Sequence, residues 1–301
     1  MQDSRTPLQR DAWAASFAVR PRHVEQSAEP LFHYTSACAF EKIISNRELW
    51  LSNAAYLNDE EELSYPASLA RMVLSEFMLS ESDSSTAQFV QEVMHRLQGH
   101  ILFKSWFVGS LTNRGNQLSQ WRAYCPAGGY SIGFSAAALA KHANQSEHLW
   151  LRKIIYDREE QTKRLRQSIA IHINLWRTLR EYHAEVPQNA YDDELANTLG
   201  LALSEEFIFF KRDVFVEEQE WRLAKYRLGH ESASFYERRG VLTPYLPNVL
   251  AEAEGSLPLH AIIVGPLGDH ALAEYSAKLL LQSKGYDAES LLQPAGYRIR
   301  T

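Results

Sequence analysis

Phe215-Val216-Glu217-Glu218-Gln219-Glu220-Trp221-Arg222 threads acidic side chains through a segment whose apolar spacing otherwise reads as a strand. The pattern predicts a strand from Val216 to Tyr226 that enters a sheet after a helical run ending near Arg212. Alternation would set Glu218, Glu220 and Arg222 on one face, neighbours about 7 Å apart, and Glu217, Gln219 and Trp221 on the other. Such a face is either the solvated side of an edge strand with Trp221 turned inward, or a catalytic strand that draws partners from elsewhere. The rest of the chain decides between them.

Outward from that stretch, strands and helices do not alternate regularly. Leu31-Phe32-His33-Tyr34-Thr35 reads as an aromatic strand, and Ser36 can cap a helix over Ala37 to Asn46. Glu48 to Asn53 is a second strand, after which Asn58 or Asp59 can cap a helix with an acidic first turn. Helical spacing runs from Glu60 to about Gly99, broken at Ser80 to Ser85, and strands are predicted over Ile101 to Leu111, Tyr130 to Ser135 and Leu151 to Tyr156. Gly133 inside its strand suggests close backbone approach. Two long amphipathic helices, Arg158 to Glu185 and Tyr191 to Phe210, read as an insertion whose repeated Arg and Lys are better explained by a solvated face than by a nucleic-acid groove. Gly229 to Gly240 reads as mobile. Further strands are predicted at Val241 to Tyr245, His260 to Gly265 and around Tyr297 to Arg300, with a helix over His270 to Gly285. The class is α+β, which disfavours a doubly wound sheet. Residues 1–29 read as an N-terminal arm, and residues 30–301 as one domain with the helical insertion at about 158–212.

Composition bounds the function classes. A chain of 301 residues with 45% hydrophobic and 11% aromatic content can bury a substantial core. A formal net charge of −6 argues against wholesale coating of nucleic acid. Cys38 and Cys125 are the two cysteines, without a CxxC pair or a Cys/His cluster, so neither a disulfide framework nor a metal site is expected. The amino terminus is not signal-like and no apolar run nears the roughly 20 residues that cross a bilayer, so a soluble cytoplasmic chain is expected. HExxH, GxxxxGK[ST], GxGxxG and GxSxG are all absent. What remains is a polar set at element ends: His33, Tyr34, Ser52, Asn53, Tyr56, Gln120, Arg122, Tyr124, Glu218, Glu220 and Arg222. Singly, each has a plain structural use, such as a hydrogen-bonded histidine or a half-buried aromatic.

Taken in order, LFHYTS (31–36), LWLSNAAYLNDEEE (49–62), QLSQWRAY (117–124), GGYSIGF (128–134), FVEEQEWR (215–222) and IIVGPLG (262–268) resemble a bacterial domain-of-unknown-function family, number 2971. That family in turn resembles the ADP-ribosyltransferase superfamily. The resemblance implies a split mixed β-sheet core with flanking helices, and NAD as substrate with no metal. It implies catalytic roles for Glu220, Glu218 and His33: Glu220 beside the ribosyl cation, Glu218 where the acceptor arrives, His33 on the adenosine ribose. NAD contacts would come from Tyr34 or Tyr56 on nicotinamide, Arg122 and Arg222 on pyrophosphate, and Ser52, Asn53 and Tyr124. The expected activity is ADP-ribosyl transfer to a protein or nucleic-acid acceptor by a toxin or anti-phage defence effector, with an antitoxin or an oligomeric partner in view and no membrane. NAD glycohydrolysis, RNA-phosphate transfer, and non-catalytic nucleotide or partner binding are the alternatives.

Overall fold

The computed structural model describes residues 24–57, 61–97, 105–182, 188–227, 233–238, 240–250, 255–266 and 268–296, with side chains 182, 188–191 and 194 excepted. The expected cap at Asn58 or Asp59, the terminal strand around Tyr297 and residues 1–23 of the expected arm lie outside these residues. The fold is mixed, with an open sheet of mixed strand direction and several helices, and it divides into two compact units.

The sheet unit takes in His23–Asn53, Phe107–Ile154 and the chain from Phe215 onward. Its strands are β1 (Leu31–Thr35), β2 (Glu48–Asn53), β3 (Trp106–Thr112, whose first residue belongs to the other unit), β4 (Tyr130–Phe134), β5 (Leu149–Lys153), β6 (Glu220–Tyr226), β7 (Ser234–Arg238), β8 (Val241–Val249), β9 (Leu259–Val264) and β10 (Leu292–Pro294). Their order is β10-β9-β4-β1-β3-β2-β8-β7, with β6 pairing to β3 and β5 pairing to β6. The β1/β4, β4/β9 and β2/β8 pairs are antiparallel, whereas β10 runs parallel to β9.

Alternation along these strands makes two cores. Leu31, Ile132, Phe134, Ile262 and Val264 point to one face and meet Phe40, Ile43 and Ile44 of α1 (Ala37–Asn46). Ser36 starts α1 as expected, its hydroxyl accepting from the Ala39 amide. On the other face Phe32, Tyr34 and Ile263 pack with Trp121 of α4 (Leu118–Tyr124) and with Cys125, the residue that caps its C-terminus, a smaller apolar cluster. The Phe32 ring lies so close to the backbone that a Cβ on Gly133 would fall 2.6 Å from its Cε1, and one on Gly115 would fall 2.5 Å from it. Only glycine fits there, which is the close approach expected at Gly133.

The helical unit takes in Ala54–Trp106 and Ile155–Val214. It holds α2 (Glu61–Ser80), α3 (Ser84–Arg96), α6 (Arg158–Tyr182) and α7 (Gln188–Ile208); α5 (Ala136–Gln145), α8 (His270–Ser283) and α9 (Ala288–Leu291) belong to the sheet unit. The insertion helices thus share a unit with the Glu60 to Gly99 helices. Phe89 stacks on Trp176 at 4.8 Å, and the Trp176 indole donates to Asp192 at 2.7 Å. The basic residues of α6 are engaged locally: Arg166 by Glu76 at 2.8 Å, Arg164 by Glu160 at 3.0 Å, Arg177 by Glu81.

Several expectations are corrected. The segment Asp213–Glu218 is a 3-10 turn rather than the start of a strand, Gln219 sits at φ 43°, and β6 begins only at Glu220. Hydrogen bonding overrides the apolar spacing: Val214 and Val216 are 71% and 56% exposed, while Glu217, Glu218 and Gln219 are bound to the end of β3 and the loop after it. Ser234–Arg238 forms a hairpin strand with β8 inside the stretch expected to be mobile. Part of the expected arm is tied down, Glu25 donating from its amide to the Leu151 carbonyl at 2.8 Å.

Candidate functional site

The cavity between β1, β3, α4 and the start of β6 is lined by Phe32, His33, Tyr34, Ser110, Leu111, Thr112, Gln120, Tyr124, Glu218 and Glu220, and encloses about 350 Å³ with its mouth included. All ten belong to the sheet unit. It exists because β1 and β3 register at Phe32↔Thr112. Two residues back along β3, the His33 imidazole meets the Ser110 carbonyl, Nδ1 to oxygen 2.9 Å.

That contact settles the tautomer. A carbonyl can only accept, so Nδ1 carries the hydrogen, and burial pushes the His33 pKa below its ordinary value. A neutral imidazole donating from Nδ1 leaves Nε2 as an acceptor. It suits a ligand hydroxyl.

Glu220 and Arg222 lie two apart on β6 and share a face, as the spacing predicted. Arg222 donates from Nε to one Glu220 oxygen at 2.8 Å and from Nη2 to the other at 3.2 Å. Arg222 is 1% exposed and its pKa is lowered to about 9 by burial, which still leaves it charged at neutral pH. The bidentate fork fixes the Glu220 carboxylate. It also engages the guanidinium that the resemblance assigned to pyrophosphate.

Glu218 reaches the cavity from the 3-10 turn, off the strand face that it was expected to share with Glu220. The turn is latched to the end of β3, the loop after it and the first turn of α4. Thr112 Oγ1 donates to the Glu218 carbonyl at 2.8 Å, the Gln117 side-chain Nε2 and the Ser119 hydroxyl donate to the Glu217 carboxylate at 2.8 and 3.1 Å, and Arg114 Nε donates to the Gln219 side-chain oxygen at 3.0 Å. A non-glycine residue at positive φ is strained by about 1–2 kcal/mol, which these bonds offset.

Tyr34 borders the cavity but serves the scaffold: its hydroxyl donates to the Arg114 carbonyl at 2.6 Å and accepts from the Gln117 amide at 2.8 Å, and its ring stands edge-on to Trp121 at 4.7 Å. Gln120 and Tyr124, one helical turn apart on α4, both border the cavity, while Trp121 and Cys125 turn into the small core. The remaining candidates are not among the lining residues. Ser52 bonds the Tyr236 hydroxyl at 3.1 Å, Asn53 is buried at the end of β2 opposite Phe107, Tyr56 lies in a 3-10 turn of the helical unit, and Arg122 is exposed on α4. Ser110 and Thr112 went unassigned in the sequence, and no motif marks them.

Residues 120–223 match a family model described as "Protein of unknown function (DUF2971)". No curated protein and no solved structure matches the chain. The DUF2971 match starts at Gln120 and runs through Tyr124, Glu218, Glu220 and Arg222, so it takes in most of α4 and the start of β6 but not His33 or the β3 residues of the cavity. No helix of the described residues is long and apolar enough to cross a membrane.

Proposed function

We propose that the chain is an NAD-dependent ADP-ribosyltransferase-like enzyme that modifies a macromolecular acceptor. The observation that carries this reading is the convergence of His33 with Glu218 and Glu220 on one cavity, from segments nearly 190 residues apart in the chain. Cleaving the nicotinamide–ribose bond builds positive charge on the ribose, and a fixed carboxylate stabilises a developing cation most where water is excluded. Glu220 is that carboxylate, held by the Arg222 fork. His33 Nε2 accepts from a ribose hydroxyl, and Glu218, at the cavity edge of the latched turn, takes the proton of the incoming acceptor. On this reading the reacting ribose meets the carboxylates at the cavity, with the remainder of the dinucleotide outside it.

The test is incubation of the full chain with labelled NAD and a cell lysate, reading free nicotinamide and labelled macromolecules together. Nicotinamide release with label transfer supports the reading. Release without label points to NAD hydrolysis, and absence of both removes the enzyme.

A further inference from the structure

Gln120 is 6% exposed, borders the cavity, and its carboxamide forms no hydrogen bond with any described residue. A primary amide offers two donors and an acceptor, and neither Oε1 nor Nε2 of Gln120 is among the fully buried unpaired atoms of the described residues, so the amide opens on the cavity. Its polar neighbours are already engaged: the Ser110 carbonyl by His33, the Thr112 hydroxyl by the Glu218 carbonyl, and Glu220 by Arg222. Helix α4 holds Gln120 in place through Trp121, which is fully buried and donates to Asn116 Oδ1 at 2.9 Å. Helix α4 therefore presents an unpaired amide to a space that Phe32 and Tyr124 also line.

We propose that Gln120 recognises the carboxamide of the nicotinamide ring. This rests on the reading of the cavity as an NAD site and names the side chain that selects the leaving group. A carboxamide is self-complementary: the ligand donates an N–H to Gln120 Oε1 and accepts one from Gln120 Nε2, in two parallel bonds. Hydroxyls of the ribose suit the carboxylates and His33 Nε2, which accept. Tyr124, one turn along α4, is placed to cover the same ring.

The experiment titrates the full chain, wild type and Gln120→Met, with nicotinamide and with 3-acetylpyridine, which keeps the acceptor oxygen and loses the N–H donors. Melting temperatures are read alongside. Wild type should prefer nicotinamide by about tenfold or more, and Gln120→Met, of similar volume, should bring the ratio close to one. Because the amide supports no described neighbour, the variant's Tm should stay within about 2 °C of wild type. A Gln120→Met chain that keeps the wild-type preference overturns the assignment. So does one whose Tm falls by more than a few degrees, since that marks Gln120 as a structural support. A wild-type chain that releases nicotinamide from NAD yet binds both pyridines equally removes this inference alone; one that binds neither and releases nothing removes the NAD reading with it.

Discussion

Glu220 and Glu218 face the same cavity from different backbone conformations, and that difference separates their expected effects. On the proposed reading Glu220→Gln should lower nicotinamide release by about 100-fold or more, since it would remove a charge aimed at the transition state. The same change takes the charge from beside a buried Arg222, and breaking a buried pair is destabilising by about 3–5 kcal/mol, so circular dichroism must accompany the assay to count the folded fraction. Glu218→Gln should leave NAD cleavage near wild type and depress transfer; equal loss in both variants would mean a shared pair instead. His33 gives a pH signature. Its folded pKa lies below the ordinary 6.5, so the unfolded chain takes up a proton that the folded one refuses as pH falls through that value. Stability from this group is full above about pH 6.5 and is lost below it, down to the folded pKa. Melting curves from pH 7.5 to 5 should therefore fall more steeply for wild type than for His33→Gln, and parallel curves would count against a buried neutral imidazole.

Gly133→Ala pushes a Cβ to 2.6 Å from the Phe32 ring, an overpacking that should be destabilising by about 1–3 kcal/mol, read as a lower urea midpoint. Phe32→Leu in the same chain should recover part of that loss; an additive double mutant would show that the two do not share a space. At the C-terminal cap of α4, burial pushes the Cys125 thiol up to about 12, whereas Cys38 on α1 is exposed. Iodoacetamide at pH 8 should label Cys38 in the native chain and both cysteines after denaturation, counted by mass spectrometry. Native labelling of Cys125 would mean that α4 opens from the sheet, and with it the cavity wall.

Across the molecule, the described cavity lining belongs entirely to the sheet unit, while the helical unit has a core of its own around Phe89 and Trp176. Lys163 and Arg166 of α6 are 66% and 58% exposed and pair with nearby glutamates. Lys163→Ala or Arg166→Ala should change stability by no more than about 0.5 kcal/mol and leave nicotinamide release unaltered. A large loss of release with the fold intact would show that this unit supplies a catalytic group.

What the linear chain determined by itself was local: the strands at Leu31 to Thr35 and Tyr130 to Phe134, the Ser36 cap, the long α6 and α7 helices, Glu220 and Arg222 on one strand face, and Gly133 as a point of close approach. These follow from side-chain periodicity and backbone sterics within a few residues, which short range sets. What only the tertiary structure decided was which distant groups meet. The end of β3 and the loop after it capture Glu217, Glu218 and Gln219 and so turn Asp213–Glu218 into a 3-10 turn against its own alternation. Gln120 gains its place from Trp121 filling the pocket beside Tyr34, while Ser52, Arg122 and Tyr56 are drawn elsewhere by other partners or by their position in the fold. Hydrogen bonds and packing between residues 80 to 190 positions apart decide these placements, and nothing in a strand's or helix's own period carries that information.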